Sequence, residues 1–398
     1  STTGLILLNC LLQAGNRQVQ EIVIDMLSSK ASSLEAFDGS GSSFAQTVAV
    51  RLTRAVERIP ERRIHELCLR LQRAADTALQ VGDVDGSRLE SSAQPEPVLS
   101  TLQLLCEGHY DKAQEFLREQ PGDPRTINLV VTAAEMLSAL HRSFDDFDAE
   151  LASQTRTCLE ALMEMVQGNE SRKNARELLD QDVCNTLSRI VCLPSEAEGE
   201  VRSRSSEQGG DQIRRRRGSR WRGGRMNDGA MQTMLLNTQL LMKVQLTALQ
   251  CMNSILENCH HNESAMERVR RDAAPRELSQ RINELVCLLT QNGEDGQATD
   301  VIQCIHRDAD TSRVIEDVSY ELYLFLLTLE SESTSMVTPS VTEEINKSAQ
   351  SHLQQFVASL ELVTPEGELQ KIFFRFPKWC LHLKTSLLRP NFHLHVDR

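Results

Sequence analysis

Aromatic side chains are scarce in this chain, at 4% of 398 residues, and tryptophan occurs only twice. Leu, Ala, Glu, Gln and Arg fill the places that aromatic and β-branched residues would take in a sheet protein, so helix is favoured over strand. Long apolar runs are missing too. The longest lies around Leu322 to Leu329, whereas a membrane helix needs about 20 residues, so no bilayer span is expected. No charged amino region precedes LILLNCLL, so no signal peptide is legible, and the chain opens in mid-pattern, as if cut from something longer. Eleven cysteines are present without a single CxxC pair. Cys68, Cys158 and Cys251 fall in apolar stripes, where free cysteine acts as a small buried hydrophobe, and a reduced, cytosolic setting is the simplest reading. A formal net charge of −13 argues against general nucleic-acid binding. No Walker loop, nucleophile elbow, HExxH or dinucleotide fingerprint occurs, so no catalytic residue is assigned and no enzyme is expected.

Apparent metal motifs also fall short. The DVDG of residues 83–86 is too short for a calcium-binding hand, which spreads its ligands over twelve residues. Cys259, His260 and His261 sit near a helix end, where successive side chains point apart. Cys380 and His382 with His393 and His395 lack the paired spacing of a zinc site. Packing and surface roles are the reading for both.

What is present is helical periodicity, in a chain long enough for two or three domains. Helices are predicted over Gly4 to Leu12, a buried one, then Val19 to Leu27, and Phe44 to Val81 with a break at Pro60. Further helices are predicted over Thr126 to Leu140, Leu151 to Gln167, Arg176 to Leu193, Met231 onward, Glu263 to Val269, Pro275 to Leu289, Val314 to Leu329 and Val341 to Leu360. Asp145, Asp146 and Asp148 stand where negative charge suits a helix start. Leu369 to Phe376 alternates and reads as a short strand. The resulting organisation is a set of amino-terminal helical pairs over 1–81, a polar linker over 82–97 and a core helical region over 98–195. A segment over 196–228 has almost no aliphatic residues and is expected to be disordered. Helices follow over 229–292, a linker over 293–310, terminal helices over 311–360, and a strand with its tail over 361–398.

The most informative stretch is Val98 to Pro121. Leu99, Leu102, Leu105 and Cys106 stripe one helical face, and Glu107 projects away from it. Gly108 breaks the helix. A second helix follows with Ala113, Phe116 and Leu117 on its buried side, ended by Pro121, Gly122 and Pro124. LLCEGH followed by FLREQPGDPRTINLV resembles a signature of the intracellular calcium-release channels, the inositol-trisphosphate and ryanodine receptors. LEALMEMVQGNE (Leu159 to Glu170), AGNRQVQ (Ala14 to Gln20), LQCMNSILENCHHNESAMERV with PREL, and FFRFPKWCLHL resemble further segments of the same region, in the same order. The absence of a calcium-hand-like insertion between Gln167 and Phe373 favours the inositol-trisphosphate receptor branch. Asn169-Glu170-Ser171 and the residues beyond Trp379 depart from the family pattern.

The resemblance implies an all-α, armadillo-like α-solenoid of stacked helix pairs, with a short β segment near the carboxyl end. It implies a cytosolic regulatory region at the face of the endoplasmic reticulum membrane, working with other regions and subunits of a tetrameric, ligand-gated channel. It carries the regulatory calcium ligands to Glu107 and Glu164, with His109 and Gln167 in support. Two carboxylates make an incomplete cage for an ion that takes six to eight oxygens, so weak binding is expected of this chain alone. The residues by themselves leave the other reading open, that these are ordinary solvated glutamates. The tract Arg214, Arg215, Arg216, Arg217, Arg220, Arg222 and Arg225 suits an acidic partner, anionic lipid or RNA, and Ser219 within it resembles a basophilic-kinase site. A solvated loop is the plain alternative. Two other readings of the whole chain are a helical-repeat scaffold without channel activity and an RNA-associated protein.

Overall fold

The computed structural model describes residues 2–13, 15–31, 44–57, 95–121, 126–169, 171–199, 201, 228–260, 262–290, 300–331, 341–363 and 369–376. The described residues are almost entirely helical, with one two-stranded antiparallel sheet near the carboxyl end, as the all-α expectation required. The arginine tract, Ser219, Cys68, His261 and residues 377–398 lie outside the described residues. Two compact units form. One comprises Ser1–Ile190 with Gln250–Asp272, the other Val191–Leu249 with Ala273–Arg398.

The first unit is built from a recurring element that the sequence does not display as identity. A first helix ends in a tight turn and a second helix follows. This occurs as α1 (Thr2–Leu12) and α2 (Arg17–Ala31), as α4 (Glu96–Cys106) and α5 (Asp111–Arg118), and as α7 (Ala149–Val166) and α8 (Lys173–Asp180). Additional helices intervene, namely α3 (residues 44–57), α6 (Leu129–Arg142) and α9 (Val183–Val191). First helices pack on first helices, α1 on α4 and α4 on α7. Second helices do likewise, α2 on α5 and α5 on α8, with α12 (Glu263–Asp272) against α8. Stacking of like on like is the solenoid principle, in which each pair buries the face its neighbour leaves open.

Spacing explains why these segments pack. The stripe Leu99, Leu102, Leu105 and Cys106 is fully buried, as are Cys158, Leu159, Leu162 and Val166 of α7. Each such leucine contributes about 1.5–3 kcal/mol by leaving water. Asn128 caps α6, its Oδ1 accepting from the Val130 and Val131 amides, so the helix starts at Leu129 rather than Thr126. Asp148 caps α7 through the Leu151 amide, while Asp145 and Asp146 belong to a 3-10 turn, Phe144–Asp146. Burial also raises the thiols of Cys158 and Cys184 and takes Cys251 to about 12, which holds them as inert thiols.

Several expectations are corrected. Helix α1 is not buried all round: Ile6, Leu7 and Leu11 are exposed. Glu96 and Pro97 belong to the first turn of α4, where a proline costs no hydrogen bond. The helix expected from Arg176 to Leu193 is two, α8 and α9, separated at Asp182 with φ 53°.

In the second unit the disordered segment expected over 196–228 begins instead with a helical turn, α10 (residues 196–199), followed after the arginine tract by α11 (Asp228–Glu257), of which residues 228–249 belong to this unit. Glu198 is only 3% exposed and pairs with Arg281 of α13 (Pro275–Thr290), which is 1% exposed. Arg281 uses its whole fork: Nε donates to the Val191 carbonyl at 3.1 Å, Nη2 to Glu198 and to Gln245, and Nη1 to Glu198 and Glu284. Composition counts aliphatics and cannot see that one buried ion pair substitutes for them.

The linker expected over 293–310 contains α14 (Asp300–Arg307), with Val301, Ile302 and Ile305 buried, and α15 (Ala309–Ser331) starts before its end. The helix expected over Val341 to Leu360 is a 3-10 turn, then α16 (Lys347–Gln354), then β1 (Val357–Val363). Strand β1 pairs with β2 (Leu369–Arg375) in register Val357↔Arg375 through Val363↔Leu369. Arg375 anchors β2 on α15, bonding Asp317 and Glu316 and lying 4.2 Å over the Tyr320 ring. The partner strand, supplied from outside the local window, overrides the helical periodicity of 357–360.

Replacing Arg281 with Met strands a buried carboxylate and is expected to cost about 3–5 kcal/mol in urea unfolding. The double substitution Arg281→Met, Glu198→Leu is expected to recover most of that loss.

Candidate functional site

The glutamates singled out by sequence lie at the carboxyl ends of two stacked first helices. Glu107 is the residue at which α4 stops, with ψ 136°. Gly108 (φ 76°) and His109 (φ 59°) then reverse the chain in left-handed conformations. The Gly15 amide, from the turn after α1, donates to Glu107 Oε2 at 3.0 Å. A side chain on Gly15 would meet the Glu107 side chain at 3.5 Å, and its φ of 59° suits glycine.

Glu164 stands in the last turn of α7, which stops at Gln167. Its Oε2 is buried and accepts no hydrogen bond. Burial raises its pKa, His109 opposes that rise, and the Glu107 charge adds to it. The fold therefore brings Glu107, His109 and Glu164 within electrostatic reach of one another. His109 also reaches the backbone of Gln167: its Nδ1 lies 3.2 Å from that carbonyl, which can only accept, so Nδ1 carries the proton in this contact. The imidazole rests over Gly168 (φ 66°), where an added Cβ would stand 2.7 Å from the ring.

Sequence reasoning passed over three features of this edge. Glu257, the last residue of α11, has its pKa raised by burial and eased by His260 and His109, so a third carboxylate lies within electrostatic reach of the same imidazole. No spacing links position 257 to 164, and only packing could reveal it. Gln114, fully buried, donates from one amide nitrogen to the carbonyls of Glu164 and Gln167, each at 2.8 Å. Gln20, also fully buried, donates in the same manner to the carbonyls of Leu104 and Glu107, each at 2.9 Å. A glutamine in a predicted helix carries no signal of such a role.

Calcium is a hard ion that seeks charged oxygen. A buried carboxylate oxygen without a donor, beside a second carboxylate and at the negative ends of two helix dipoles, suits it. Among the described residues no group of three or more His, Cys, Asp or Glu side chains is assembled to hold a metal ion.

The described helices contain none long and apolar enough to cross a membrane. Residues 91–191, which hold Glu107, His109, Glu164 and Gln167, match the family model described as RyR and IP3R Homology associated. The match does not distinguish the two receptor branches.

Two outcomes are expected. Gly168→Ala forces a left-handed alanine against His109 and should lower stability by about 1–3 kcal/mol, with the His109 imidazole NMR signals displaced. Glu164→Gln should melt above the parent at neutral pH with a chelator present. The folded Glu164 carboxyl holds its proton to higher pH than the unfolded one, so the parent loses stability as pH rises through the window above the ordinary carboxylate range. The gap between the two should close as pH falls below that range.

Proposed function

We propose that this chain, whose residues 91–191 match the RyR and IP3R Homology associated model, is a cytosolic regulatory region of a calcium-release channel of the inositol-trisphosphate receptor branch. Its role in this reading is to sense calcium and couple that signal to a gate. Such a channel would be a tetramer at the endoplasmic reticulum membrane, and the remaining ligands would come from another region of it.

The observation that carries the proposal is the unbonded, buried oxygen of Glu164 within reach of the Glu107 charge. Keeping a carboxylate in such a place costs stability in the absence of a cation, and a bound cation would relieve it. Glu107 and Glu164 supply charged oxygen, and His109 donates to the Gln167 carbonyl rather than competing as a ligand through that nitrogen. Calcium, when bound, supplies the positive charge that lets both carboxylates stay ionised side by side. Because the helix ends carrying them are packed on one another, a cation shared with an outside oxygen would favour one arrangement of the channel over another. The gate then shifts by the difference in affinity between the two states.

The kinase site at Ser219 and an acidic partner for the arginine tract remain proposals of the same standing, addressed by phosphorylation assays on that segment.

Calcium titration followed by NMR should give binding on the order of millimolar for this chain alone. Glu107→Gln with Glu164→Gln should abolish it. Micromolar binding that survives both substitutions would place the site elsewhere.

A further inference from the structure

The last carbonyls of a helix have no partner within it and must find donors elsewhere. At α4 and α7 the donor is the same device. A buried glutamine from the second helix of the preceding pair inserts one amide nitrogen between two carbonyls three residues apart. Gln20 of α2 serves Leu104 and Glu107, and Gln114 of α5 serves Glu164 and Gln167. One acceptor in each set is the backbone of a proposed ligand itself. The two clamps are not equally tight. Gln114 is locked from every side: its Oε1 accepts from Asn169 Nδ2 at 2.9 Å, and its own carbonyl accepts from Asn174 Nδ2 at 3.1 Å. Gln20 Oε1 is buried without a donor.

We infer that Gln114, and in the parallel place Gln20, are positioning residues for the cation site, each fixing one glutamate-bearing helix end through its backbone. Gln114 is the stronger of the two. It stands on the short segment that begins at Glu107, so the stretch carrying one carboxylate also grips the helix end carrying the other. His109, from the same segment, adds its Nδ1 donor to the Gln167 carbonyl. The separation between the two carboxylates is thereby set by residues 107–114 rather than by side-chain freedom at Glu164. This inference rests on the calcium reading above and adds to it the parts that hold the ligands in place.

Calcium affinity of the full 398-residue chain can be read from the methyl NMR signals of Met163 and Met165, which flank Glu164. Gln114→Leu is expected to weaken calcium binding about tenfold, the scale seen for groups that orient metal ligands. Gln120→Leu is the control. Gln120, in the loop after α5, is another buried amide, donating to the Phe116 and Ile127 carbonyls. It should lower the melting temperature and leave affinity unchanged. Parent-level affinity in Gln114→Leu overturns the inference while leaving the calcium reading intact, as does an equal loss in both variants. A parent titration that is absent, or is indifferent to Glu107→Gln with Glu164→Gln, overturns the calcium reading and the inference with it. Should Gln114→Leu fail to fold, Gln20→Leu decides: a several-fold loss supports the inference and parent-level affinity overturns it.

Discussion

Helix ends carry a debt of unpaired carbonyls, and the first unit is arranged around how α4 and α7 settle it. Each end is half-buried against a neighbouring pair, and a carbonyl shielded from water without a donor is expensive. The glutamine amides at 20 and 114 reach across from the preceding pair. The buried apolar stripes bring the pairs together, and these amide contacts fix the helix ends against the neighbouring pair. If a second helix slid along its partner, both of its hydrogen bonds would be lost together.

The left-handed turns complete the arrangement. Gly108 and Gly168 let the chain double back within a few residues, so α5 and α8 lie close beside the helices they follow. At Gly168 the same absence of a side chain opens space for His109, which could not approach if any Cβ stood there. The imidazole, two helix ends and three carboxylates then share a small region. Glu107 accepts from the Gly15 amide, whereas Glu164 Oε2 is buried without a donor, as is Gln20 Oε1. In the region that matches the RyR and IP3R Homology associated model, a buried carboxylate oxygen without a donor is where a cation is to be sought.

The second unit solves a different problem. Its α10 turn comes from a segment nearly without aliphatic side chains, and is held by the Arg281 fork instead. Five donors with a partner each make a buried charge tolerable, where an unpaired one would not be. Its carboxyl-terminal hairpin likewise depends on one arginine, with Arg375 joining α15 by charge and by the face of Tyr320.

Helical class, the buried stripe from Leu99 to Cys106, the seam of α7 and the break at Gly108 were legible in the sequence, because each depends on spacing or on one residue's backbone freedom. The motif LLCEGH and the run around Glu164 pointed to the two glutamates by resemblance. Three things were beyond local reading: the strand at 357–360, the helix at 300–307, and the burial of Glu198. Each is decided by packing against another element: β2 for the strand, α13 and α15 for the helix, and Arg281 for Glu198. Spacing along the chain determines which face of a helix is apolar. Only packing decides which carbonyl receives a distant amide, which carboxyl oxygen is left without a donor, and which histidine stands between them, because those are relations among segments and no single segment contains them.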